Sequence, residues 1–122
     1  MTTLLSSPPR LPVIFISGPF RAPTPYGVEE NCRRAEAAAL EVWRAGAVAI
    51  CVHAMCRHYS GAAPDSVWLA GDLEILRRCD AVLLVEGWEA SSGTRGEIEE
   101  AERLGIPVWG PYDWGQALEA IR

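Results

Sequence analysis

Lysine is absent: all eleven basic residues are arginine. That excludes Schiff-base chemistry on a lysine amine and the lysine of a phosphate-binding P-loop. Arginine remains available for bidentate phosphate contacts. A run of basic residues is missing as well, and the net charge is −5, so the chain is a poor candidate for gripping duplex nucleic acid through its phosphates. No apolar stretch approaches the roughly 18 residues of a membrane span. The opening MTTLLSSPPRLP has neither a charged start nor a long apolar segment, which argues against a secretory signal. A cytoplasmic location is therefore expected, with Cys32, Cys51, Cys56 and Cys79 as thiols.

What is present suits one globular domain. The 122 residues are 49% hydrophobic and 22% charged, too apolar for a disordered chain. Residues 1–12, rich in serine and proline, read as a flexible tail, and 13–122 as a single domain. Short apolar runs at 13–16, 47–52, 81–85 and 106–109 predict strands buried on both faces. Between them the patterning predicts helices over 28–45, closed by Gly46, and from a cap at Asp65 or Ser66 to 78. Further helices are predicted over 94–104, ended by Gly105, and over 113–121. Residues 21–27 and 54–64 read as irregular, and Cys32 and Cys79 as small core residues. Strands alternating with helices define the expected class: α/β, a small doubly wound, flavodoxin-like or Rossmann-like three-layer sandwich on a four- to five-stranded parallel sheet. Ligands of such sheets bind beyond the carboxyl ends of the strands, where 17–27, 53–65 and 86–97 would lie.

Those segments carry the candidate chemistry. The run Gly87-Trp88-Glu89-Ala90-Ser91-Ser92-Gly93-Thr94-Arg95-Gly96-Glu97 joins a buried strand to a helix. Hydroxyls of Ser91, Ser92 and Thr94 and the backbone at Gly93 would favour an anion at that helix start. The same spacing also reads as a plain capping box, with Thr94 as N-cap and Glu97 at the third helical position. Asp72 sits in a predicted helix next to Gly71, a costly residue there that suggests close approach by a neighbour. Asp72 and Glu97 are a candidate carboxylate pair, one a nucleophile and the other handling a proton or hydroxyl, as in glycosyl transfer. Ser17-Gly18-Pro19-Phe20-Arg21 follows the first strand, with Gly18 permitting close backbone approach and Arg21 placed to clamp a phosphate. Cys51-x-His53-x-x-Cys56-x-His58 holds metal-competent residues at a spacing unlike the usual zinc patterns. No metal or other cofactor is expected there, and His53 reads as a strand-end residue that lines the site or accepts a hydrogen bond.

The stretches IFISGPF and GDLEILRRCDAVLLVEGWEASSGTRGEIEEAERLGIPVW resemble the nucleoside 2-deoxyribosyltransferase superfamily, and are similar to the 2′-deoxynucleoside 5′-monophosphate N-hydrolases within it. The resemblance covers about residues 13–109 and is most specific from Asp72 to Gly105. It implies a covalent glycosyl-enzyme on Glu97, with Asp72 contacting a sugar hydroxyl and aiding proton transfer. It also implies that Ser91 and the Gly18-Pro19-Phe20-Arg21 segment hold a 5′-phosphate. Trp88 or the 53–59 loop would stack on the base. The chain departs from the family where Phe15 replaces a tyrosine, where Pro19 replaces a serine, and in Tyr112–Arg122, which match no partner-lent segment.

The expected activity is hydrolysis or base exchange at the N-glycosidic bond of a (deoxy)nucleoside or its 5′-monophosphate. The alternatives are a nucleotide-binding module without turnover, a phosphoribohydrolase of the cytokinin-activating type, suggested by the Gly93-Thr94-Arg95-Gly96-Glu97 run, and a zinc-stabilised interaction domain. A homodimer or higher homo-oligomer is expected from the family and from the apolar surface of Trp43, Trp68 and Trp114.

Overall fold

The computed structural model describes residues 10–122. Most of the tail expected over 1–12 lies outside the described residues. Two of its last three residues make contacts: the Pro12 carbonyl accepts from the Val48 amide at 2.9 Å, and Arg10 pairs with Asp80 at 2.9 Å.

Four strands, β1 (Val13–Ser17), β2 (Val48–Ile50), β3 (Ala81–Leu84) and β4 (Val108–Trp109), alternate with helices α1 (Pro25–Arg44), α2 (Val52–Cys56), α3 (Asp65–Leu76), α4 (Ser92–Leu104) and α5 (Trp114–Ile121). All strand pairs are parallel, in the order β2-β1-β3-β4. The fold is the α/β three-layer arrangement expected, small and doubly wound, with four strands. Period-two alternation divides the core. Ile14 and Ile16 of β1 face α1 and α5, packing with Ala35, Val42, Leu83 and Leu118. Phe15 faces the other layer with Leu76, Val82, Leu84 and Ala101. The chain winds from β1 outward to β2 and from β3 outward to β4, so the order reverses between β1 and β3. The crevice beyond the carboxyl ends of these two strands is where such a sheet takes ligands.

Several boundaries differ from the sequence reading for local reasons. Helix α1 begins at Pro25, inside the segment expected to be irregular. Proline is tolerated in the first helical turn, where its missing N–H is not needed, and the Thr24 hydroxyl accepts from the Gly27 amide at 3.0 Å. Gly46, just past α1, takes the left-handed turn at φ +87° that ends a helix. The second strand stops at Ile50, because the chain enters α2 at Val52 and continues into a 3-10 turn over Arg57–Tyr59. Cys51 is thus the residue before a helix rather than part of the strand expected over 47–52. Helix α3 is preceded by Pro64 with no side-chain cap, so neither Asp65 nor Ser66 caps it.

The four cysteines are free thiols, with Cys32 and Cys79 in the core. Of the three tryptophans expected at an interface, Trp114 packs against the α1–α5 core. Trp68 stacks on Tyr59, rings 5.8 Å apart, and Trp43 is half exposed at 52%.

Candidate functional site: a carboxylate pair at the switch point

Helix α4 starts two residues before its expected position. The Ser91 hydroxyl caps it, accepting from the Thr94 amide at 3.2 Å. Thr94 is therefore inside the first turn, fully buried, and its hydroxyl has no partner. Glu97 falls in the second turn. The capping-box alternative is thereby excluded, because the Glu97 side chain does not fold back onto the helix start. It reaches instead across the sheet end to β1, where Ser17 Oγ donates to Glu97 Oε1 at 2.5 Å. Ser17 is buried on the same face of β1 as Phe15, which aims it at α4.

Burial dominates the electrostatics. It pushes the Glu97 carboxyl up to about 7; the Ser17 hydrogen bond pulls against this, and the charge of Asp72 adds to it. Burial also raises Asp72, to about 6. Asp72, from the middle of α3, and Glu97, from α4, lie close enough for the Asp72 charge to act on Glu97, though burial is the larger cause at both. Two carboxyls raised toward neutral pH by burial, one of them bonded to the end of β1, have the profile of an acid–base or nucleophilic site. Cys56 borders it: burial raises its thiol and the Asp72 charge raises it further. Gly71 has open space around it, since an added Cβ meets nothing within 4 Å. The close approach expected there is not found among the described residues.

The loop after β1 is placed by contacts that the sequence did not announce. Gly18 is needed because a Cβ there would come within 2.7 Å of Val85 Cβ. Arg21 does not stand free over the crevice: its guanidinium pairs with Asp65 at the start of α3, with both side chains mostly exposed. His53 is buried and donates from Nε2 to the carbonyls of Gly18 and Pro19. Of the two expectations for His53, lining the site or accepting a hydrogen bond, the second is corrected: toward these carbonyls the ring is a donor. Phe20 leans against the His53 ring, centroids 5.9 Å apart. Trp88, in a 3-10 turn after β3, is half-buried against the α3–α4 core. Ser92 and Gly93 lie exposed in the first turn of α4. Asn31, Asp65 and the Arg57 contacts to Glu29 and Glu36 were missed. Asn31 alone left a signal: an amide inside a helix rich in alanine, glutamate and arginine is a poor helix former with another task.

Among the described residues no three His, Cys, Asp or Glu side chains converge as metal ligands. Two grooves open elsewhere. One of about 230 Å³ lies between α1 and the end of β3, against Arg34, Val85 and Tyr112. The other, about 360 Å³, follows the free edge of β2 past Leu40, Trp43 and Met55. Neither includes Glu97 or Asp72.

Fold and site together define a small doubly wound α/β domain with two half-buried carboxyls, Asp72 on α3 and Glu97 on α4, the latter bonded to the end of β1. The chain belongs to the family described as Domain of unknown function (DUF7768), whose profile matches residues 12–110. No curated protein matches it.

Proposed function

We propose that the protein cleaves the N-glycosidic bond of a (deoxy)nucleoside or its 5′-monophosphate, with Glu97 as nucleophile. The observation that carries this reading is the half-buried Glu97 carboxyl at the sheet end, held by Ser17 from 80 residues away in sequence and acted on by the Asp72 charge. The resemblance of the Asp72–Gly105 segment to the deoxyribosyltransferase superfamily supports it independently. A Glu97 oxygen attacks C1′, the C–N bond breaks with its electron pair on the base, and Asp72 gives the departing nitrogen a proton. Water, or a second base, then attacks C1′ and releases Glu97, while Asp72 takes back the proton. Pairing one ionised with one protonated carboxyl is the arrangement such oxocarbenium-like chemistry uses. Incubation with a panel of deoxynucleosides, ribonucleosides and their monophosphates, followed by chromatography of free base, tests the reading. Tight binding without release would favour the nucleotide-binding module instead.

Arg21 and the hydroxyls at the start of α4 are the groups for a 5′-phosphate. Because Asp65 holds Arg21, a phosphate must displace a carboxylate. An exposed pair of this kind is worth at most about 1 kcal/mol. Asp65→Asn is therefore expected to lower KM for monophosphates several-fold while leaving KM for the unphosphorylated nucleosides unchanged, read by steady-state base release.

No described helix is long and apolar enough to cross a membrane. The proposed setting is the cytoplasm, where the four thiols stay reduced. The proposed assembly is a homodimer or larger, supported by the half-exposed Leu40, Trp43 and Met55 around the β2-edge groove. Light scattering on the purified protein is expected to give at least twice the 13.3 kDa chain mass; a monomer at micromolar concentration overturns this.

A further inference from the structure

We infer that His53, assisted by Asn31, is a positioning residue for the carboxylate site: the two side chains clamp the turn that follows β1 and so hold Ser17 in place against Glu97. The inference rests on the proposed function only for its kinetic consequence. Four consecutive carbonyls in this turn are bound by side chains from two other elements. His53 Nε2 lies 3.1 Å from the Gly18 oxygen and 3.0 Å from the Pro19 oxygen. Asn31 Nδ2 donates to the Phe20 oxygen at 3.1 Å and the Arg21 oxygen at 3.3 Å. Pro19 offers no N–H of its own, so this turn has less backbone bonding with which to hold itself.

The chemistry of the ring follows from its partners. Carbonyl oxygens only accept, so Nε2 must carry the hydrogen and Nδ1 its lone pair. Nδ1 is buried and has no partner. Such a histidine is committed to one neutral tautomer and to one pair of acceptors, which suits a clamp and not a proton shuttle. The clamp itself is anchored. Arg57, at the end of the same helical segment, pairs with Glu29 and Glu36 of α1, the helix that also carries Asn31. Ser17 immediately precedes the clamped residues, and Gly18 is wedged against Val85. A turn that relaxes by a fraction of an ångström therefore moves Ser17 relative to Glu97, and misplacements of that size are costly at a reacting centre.

Three variants of the full chain test this: His53→Leu, which keeps apolar volume and removes the donor; His53→Gln, whose amide can donate from near the Nε2 position; and Asn31→Leu. Two readouts are used. One is kcat and KM for base release; the other is the titration midpoint of the Glu97 carboxyl carbon followed by NMR. His53→Leu is expected to lose roughly tenfold or more in kcat with little change in KM. It should also raise the Glu97 midpoint by roughly half a pH unit as the Ser17 bond loosens. His53→Gln should restore both, and Asn31→Leu should show the same pattern more weakly. An unchanged Glu97 midpoint in folded His53→Leu overturns the inference, as does failure of glutamine to restore it. If His53→Leu does not fold, Asn31→Leu and the ring-nitrogen spectrum of the unmodified protein decide: hydrogen on Nδ1 instead of Nε2 overturns the clamp. If the unmodified protein releases no base from any substrate, the nucleosidase reading fails, while the Glu97 midpoint still tests the clamp.

Discussion

Glu97→Gln is expected to lower base release by about a thousandfold or more and, at the same time, to make the protein more stable at pH 8. The loss of activity follows from the role: an amide is no nucleophile toward C1′, and removing the group that forms the covalent bond commonly costs at least this much. The gain in stability follows from burial. The ordinary glutamate value is 4.5 and the folded protein holds Glu97 at about 7. Below pH 4.5 both folded and unfolded chains carry the proton, and the site costs nothing. As pH rises from 4.5 to 7 the unfolded chain ionises first, so the folded state loses relative stability, and above 7 the full cost stands. With the partial exposure of the group allowed for, that cost is about 2 kcal/mol. Glutamine never ionises and can still accept from Ser17. Thermal unfolding at pH 8 should show a rise of roughly 5–10 °C for the variant, shrinking toward zero near pH 4. A variant that is inactive and equally stable at both pH values would mean that Glu97 is not buried as a carboxylate.

The elements that the sequence made legible are those decided by local patterning. Ile14, Phe15 and Ile16, and Ala81 through Leu84, are apolar without interruption because both faces of their strands are covered. That is visible without knowing the partners. The neighbourhood of Asp72 and Glu97 was legible for a related reason: they sit on α3 and α4, helices that the α/β pattern packs side by side on one face of the sheet. What escaped was set by long-range contact. Whether Glu97 caps its own helix or crosses to β1 depends on Ser17, 80 positions away, and no window of sequence contains both. The short α2 helix escaped because five residues show no helical period. That single miss changed the reading of His53 from an open strand-end residue to a buried donor. Arg21 kept its expected place in the loop, but its pairing with Asp65 required that loop to meet the start of α3.

Asp72→Asn is expected to change the shape of the pH profile as well as its height. In the unmodified protein the pair loses its two protons at about 6 and about 7. Asp72 is the stronger acid, so the productive form, with Glu97 ionised and the proton on Asp72, is the less populated of the two one-proton forms; kcat/KM should still be bell-shaped with its maximum between those values. Asparagine cannot give the departing base a proton, and a general acid of this kind is worth roughly a hundredfold or more. The alkaline limb, which reports loss of the last shared proton, should disappear. What remains is a single rise with pH as Glu97 ionises, its midpoint below 7 because the Asp72 charge no longer opposes ionisation. A bell that survives the substitution would assign the acid to another group. The position of Asp72 has its own check, independent of turnover. Burial holds the Cys56 thiol above its ordinary value and the Asp72 charge adds to this, so Asp72→Asn should let Cys56 ionise at lower pH and react faster with an alkylating agent at pH 8. Faster alkylation together with the lost limb would tie the acid function to the carboxylate on α3; faster alkylation with an intact bell would leave Asp72 beside the site without a part in the proton transfer.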